Sequence, residues 1–250
     1  MLLAGCSTNP VTGREQIVAI PAAMVHADIG FALSTGAQRI GLGRPCGDAC
    51  RDQEQVAKFE AQVKRLSAEL EAAARGLSPE AFTRINSFQV DVEPGIGVAT
   101  GSSASGRIAL GQGIAQLEPV DDVAAFLIAR EMAHIIARHD EEDSGARIFT
   151  SALTTFIPGF SLVFKFVASA LGGGAMMRTW AAEQRREADD VAVALLERAG
   201  RPAAAVARSL AEGLKQDRLP QGDWSLRYAE SAARVALLAE LPPRYADFGD

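Results

Sequence analysis

The sequence predicts an α+β fold, mostly helical, with a small β-sheet beside a central helix. Three observations predict it. Apolar residues recur at helical spacing over 53–75. Short alternating stretches separated by a turn-rich run fall between 82 and 111. Five or so helical stretches then follow to the C-terminal end. At roughly 150 residues per domain the length corresponds to one or two domains. The pattern divides into an irregular start over 1–52 and one compact domain over 53–250.

Composition narrows the function classes. With 48% hydrophobic and 22% charged residues the chain can build a packed core, which excludes wholesale disorder. Lys+Arg 25 against Asp+Glu 31 gives a net charge of −6, and aromatics are only 6%. A nucleic-acid binder would show a basic excess or aromatic stacking platforms, so no nucleic-acid partner is expected. Three cysteines exclude a disulfide-built scaffold. The only histidines are His26, His134 and His139, and any metal or acid–base chemistry must draw on them.

Residues 10–54 are rich in Gly, Pro and small side chains and read as an irregular segment wrapping the surface. Over 53–75, Val56, Phe59, Val63, Leu66, Leu70 and Ala73 form one apolar helical stripe, with Gly76 as a stop. Residues 88–92, 98–100 and 107–110 read as strands of a partly antiparallel sheet, the last two joined by the turn-rich 101–106. Asp121 or Asp122 can cap a central helix running to about Arg138. Residues 148–177 are strongly apolar but interrupted by Pro158-Gly159 and Lys165. They read as two short helices covering the site and hinged at Gly172–Gly174, or as a membrane-dipping hairpin. Helices follow over 178–199, from Pro202 to about Lys215, and over 224–240.

The chemistry is concentrated in Arg130-Glu131-Met132-Ala133-His134-Ile135-Ile136-Ala137-Arg138-His139, which differs from His-Glu-x-x-His by one residue, Arg130. In that motif two histidines one helical turn apart bind zinc, and the glutamate is the general base on zinc-bound water. On a regular helix His139 lies about 140° around from His134, too far for the two to share a metal. Asp140-Glu141-Glu142-Asp143 reads as a solvated helix end, lacking calcium-loop spacing.

Other stretches complete a pattern. Leu3-Ala4-Gly5-Cys6 looks like a lipobox, where Cys6 would be acylated. Only five residues precede it, so a longer native start is expected for lipidation. Asn9-Pro10-Val11-Thr12-Gly13-Arg14 follows, then Gly111-Gln112-Gly113-Ile114, the motif helix, Arg185-Arg186-Glu187-Ala188-Asp189, and Ala199-Gly200. In order and spacing the chain, from Cys6 to about Arg234, resembles the zinc metallopeptidases of family forty-eight. This is the HtpX-like and CAAX-prenyl-protease group, and the likeness is to its periplasmic lipoprotein branch. The resemblance makes 53–250 a metallopeptidase-like, gluzincin-type domain.

It also implies a degenerate zinc site. Carried onto this sequence, the general base falls on Glu131 and one ligand on His134. The other two ligand positions are occupied by Arg130 and Arg185. Asp189 takes the place of the carboxylate that orients a ligand histidine, and Tyr228 that of a further site histidine. Arginine keeps its proton in proteins and cannot ligate zinc. A zinc ion about 5 Å from a guanidinium, at an effective dielectric near 20, would meet about 6–7 kcal/mol of repulsion. The expected cofactor is therefore none. An ion pair from Arg130 to Asp189 or Glu131 is expected instead, and loss of either arginine is expected to destabilise the fold.

Cys46 and Cys50 suit a local disulfide if the segment is exported, and stand as two reduced thiols otherwise. Three functions follow from this reading. The first is a pseudopeptidase of the bacterial envelope that binds peptides, unfolded envelope proteins or an active partner protease. The second is a zinc-dependent metalloendopeptidase of envelope protein quality control with an unusual ligand set. The third is a structural lipoprotein whose 148–177 segment contacts membrane or another subunit. The expected location is the periplasm, anchored to the outer membrane.

Overall fold

The computed structural model describes residues 6–9, 11–17, 53–94, 96–143, 181–216 and 223–241. Cys46, Cys50, the apolar 148–177 segment and its glycines lie outside the described residues, as does the side chain of Cys6. Among the described residues the fold is mixed α+β, mostly helical, with a small three-stranded sheet.

The apolar stripe over 53–75 produces helix α1, Gln53–Leu77. Phe59, Val63, Leu66 and Leu70 are buried on it, and its charged residues stay outside in pairs such as Arg65–Glu69. The helix runs through Gly76 and stops before Pro79, which lacks the N–H needed to continue it. The strands are β3 (Gln89–Glu93), β4 (Thr100–Ser102) and β5 (Arg107–Gly111), in the order β3-β5-β4. β3 runs parallel to β5, and β4 antiparallel to it. β4 lies two residues later than its apolar signal at 98–100, so β4 itself is drawn from the turn-rich run.

Gly111 and Gly113 explain why. A Cβ at Gly111 would come within 2.1 Å of the Gly97 carbonyl oxygen, and one at Gly113 within 2.8 Å. Without side chains, Gly111 donates its N–H to Ala99 (2.9 Å) and Gly113 to Gly97 (2.8 Å), which docks 97–99 before β4 begins. β4 is an edge strand among the described residues.

Helix α2, Val120–Ile136, is the centre of the molecule. Twelve of its 17 residues are buried, so it presents apolar side chains to neighbours on nearly every side. It packs against α1, β4 and β5, and against α5 (Ala203–Gly213). Pro119, rather than Asp121 or Asp122, takes the N-cap; the two aspartates sit in the first turn, where the helix dipole favours them. A helix described over 181–198 (α4) and α6 (Asp223–Leu238) complete the fold.

Two expectations are corrected. The central helix does not reach Arg138 in regular form: it ends at Ile136, and Arg138 adopts φ 62°, before helix resumes over 139–143 (α3). The start is not wholly irregular or superficial either. Cys6–Thr8 (β1) and Glu15–Ile17 (β2) pair as an antiparallel hairpin, and Asn9, Val11 and Gln16 are buried. No described helix is long and apolar enough to cross a membrane.

Candidate functional site

Helices α2, α4 and α6 and the start of β4 enclose a cavity of about 540 Å³. Arg130, Glu131 and His134 of α2 line it on one side, Arg185 of α4 on another, and Tyr228 of α6 on a third. The sequence-predicted residues therefore come together, and each has a definable partner or lacks one.

Arg130 Nε lies 3.0 Å from Asp189 Oδ1, with both side chains largely buried. The N–H is not aligned for a hydrogen bond, so charge rather than hydrogen bonding holds this pair. Ser231 donates a hydrogen bond to the same carboxylate oxygen (3.1 Å). Burial pushes Asp189 upward from the usual carboxylate range, against the pull of Arg130 and Ser231. Arg185 is half-buried, and among the described residues it has no carboxylate or hydrogen-bonding partner. The expectation that both arginines pair with buried carboxylates is thus met for Arg130 and overturned for Arg185. Glu131 pairs with neither; it accepts a hydrogen bond from Thr100 Oγ1 of β4 at 2.5 Å.

The break at Arg138 alters the geometry that a regular helix dictates. It folds His139 back, so that its Nδ1 lies 2.9 Å from His134 Nδ1, with the rings nearly perpendicular. The separation expected for these two histidines is thereby corrected. His139 Nε2 in turn lies 2.9 Å from Glu187 Oε2 on α4. One tautomer pattern satisfies both contacts: His139 donates from Nε2 to Glu187 and accepts from the Nδ1–H of His134. Burial, aided by His139, Arg130 and Arg185, holds His134 well below the ordinary histidine range, so it is neutral at pH 7.

The Asn9–Arg14 turn clasps this relay. Glu187 accepts hydrogen bonds from Asn9 (3.1 Å), Thr12 and Arg14 (2.8 Å) as well as facing His139. These contacts hold its carboxyl below the usual range despite burial. Asn9 Oδ1 accepts from the N–H groups of Val11 and Thr12, while Asn9 and Gln16 both donate to the carbonyl of Ala137, freed where α2 ends. The acidic run 140–143 is not a solvated end. Glu141 and Glu142 are buried, Glu141 pairing with Arg84 and Arg138 and Glu142 with Arg14.

Sequence reasoning placed Glu131, His134, Arg130, Arg185, Asp189 and Tyr228 around one site. It missed Thr100, His139 and Glu187. Glu187 had a signal, since it sits inside the segment that carries Asp189. His139 had none, because no Gly or Pro marks the break at Arg138. Tyr228, buried at the position assigned to a histidine, is kept a neutral phenol by its burial.

The donor set does not fit a zinc ion. Two of the three implied ligand positions carry guanidinium groups, which keep their protons and cannot ligate a metal, so only His134 remains of the implied set. Among the described residues no group of three or more His, Cys, Asp or Glu side chains is arranged to hold a metal. No protein-family model matches this chain, and no curated protein matches it.

Proposed function

We propose that this chain is a pseudopeptidase of the bacterial envelope: a metallopeptidase-like domain without zinc chemistry that holds extended segments of peptides or unfolded envelope proteins. One observation carries the reading. Arg130 and Arg185 line the same cavity as Glu131 and His134, and Arg130 pairs with Asp189. A divalent ion there would have to approach two fixed positive charges. Glu131, engaged with Thr100, has no metal-bound water to activate and acts as a structural acceptor.

Peptide binding is supported by the edge strand. β4 borders the cavity through Thr100, and its outer side is unpaired among the described residues. An extended chain could add to it through backbone hydrogen bonds, the general mode of β-augmentation. The lipobox-like Cys6 supports a periplasmic, membrane-anchored location in this reading, where unfolded envelope proteins or an active protease would be its partners.

The test is binding without cleavage. A fluorescein-labelled, unstructured peptide is titrated with the full chain in zinc-containing buffer and followed by anisotropy, and its intact mass is read afterwards. Saturable binding with the peptide uncut supports the reading. Chelator-sensitive cleavage, abolished by Glu131→Gln, would establish a metalloendopeptidase instead.

A further inference from the structure

Arg185 stands apart in the site. A half-buried guanidinium ordinarily faces an anion, yet among the described residues none pairs with Arg185. Arg130 faces Asp189 along one edge only, in a contact not aligned as a hydrogen bond, and has no other partner among the described residues.

The carboxylates of the wall do not supply what these arginines lack. Glu131 accepts from Thr100, Asp143 accepts from Gln184 at 3.0 Å, and Asp140 lies 3.5 Å from the Ser102 hydroxyl. Glu131 is thereby held by an uncharged donor on the side of the cavity formed by β4. Guanidinium N–H groups are therefore left to meet a ligand, and a planar carboxylate matches their fork.

We propose that Arg130 and Arg185 form an anion site that takes the free C-terminal carboxylate of a bound peptide. The inference rests on the peptide-binding reading above and adds to it which part of the peptide is recognised. Two features favour a peptide end. The cavity, about 540 Å³, is of a size to hold a short stretch of chain. The edge of β4, unpaired among the described residues, borders the same cavity, so a chain paired with β4 can terminate against the arginines.

The experiment compares two fluorescein-labelled peptides of one sequence, one ending in a free acid and one in an amide, on the full chain. The acid should bind about tenfold or more tightly, the scale of a charge-assisted hydrogen-bonded contact. Arg185→Gln should bring the acid-to-amide ratio towards one, and Arg185→Lys should restore part of it. Circular dichroism checks that each variant is folded; Arg185 leaves no carboxylate unpaired when removed. Equal binding of acid and amide by the unmodified protein overturns this proposal while leaving peptide binding standing. Binding of neither form overturns both. Displacement of both peptides by inorganic phosphate, with acid and amide binding alike, would make the arginines a general oxyanion site and also overturn the proposal.

Discussion

Arg130 and Arg185 occupy equivalent positions in the sequence argument but not in the structure, and the difference predicts unequal stability effects. Removing Arg130 leaves Asp189, with a side chain only 6% exposed, facing no charge. Arg130→Gln should cost about 3 kcal/mol or more of unfolding free energy in urea titrations, whereas Arg185→Gln should stay within about 0.5 kcal/mol. Equal losses would mean that Arg185 has a partner of its own. Titration gives a second residue-scale prediction. His134 resists protonation in the folded state, while the unfolded chain takes up a proton near pH 6.5. Its contribution to stability is complete above that pH and falls as pH drops below it. Glu187, held low by its partners, contributes above about pH 4.5 and loses that contribution under stronger acid. Asp189, raised, works with the opposite sign, so the informative quantity is a difference. His134→Gln should flatten the stability slope between pH 6.5 and 5. An unchanged slope would show that His134 titrates alike in both states.

Among the elements, the junction between α2 and α3 had the least trace in the sequence. Arg138 is a non-glycine residue at φ 62°, a conformation costing roughly 1–2 kcal/mol for an L-residue. Two contacts offset it: Arg138 pairs with Glu141, and Asn9 and Gln16 satisfy the carbonyl exposed at Ala137. Asn9→Ala removes two donations to Ala137 and Glu187 and two acceptances from the turn, and should lower stability by about 2–3 kcal/mol, measured by thermal or urea unfolding. A loss under about 0.5 kcal/mol would place the clasp outside the cooperative fold. The Asn-Pro-Val-Thr-Gly-Arg motif was legible as a string, but its task was not. It depends on a carbonyl more than a hundred residues away, exposed by a helix end that helical periodicity does not mark. The helices were legible because each buries one apolar face: the stripe from Phe59 to Ala73 defined α1 almost to the residue. Strand β4 was only half legible, because the glycine contacts of Gly111 and Gly113 set its position, not its own side chains.

Across the whole molecule, periodicity and turn signals yield the α+β class, whereas the order β3-β5-β4 depends on long-range pairing that no local pattern encodes. The grouping of Arg130, Glu131, His134, Arg185, Asp189 and Tyr228 was legible only as what the family resemblance implies, residue by residue. Their pairings were not, since these depend on side-chain packing between α2, α4 and α6. In the proposed account this scaffold replaces two ligand positions by fixed positive charges, and restoring those positions should restore the metal. The double variant Arg130→His with Arg185→Glu supplies His134 with two further ligands and gives Glu131 an ion-bound water to act on. Metal content of the purified, zinc-equilibrated proteins, measured side by side, tests this most directly. The account predicts substoichiometric zinc in the unmodified chain and one zinc per chain in the double variant. One zinc per chain in the unmodified protein, lost on His134→Ala, would contradict it.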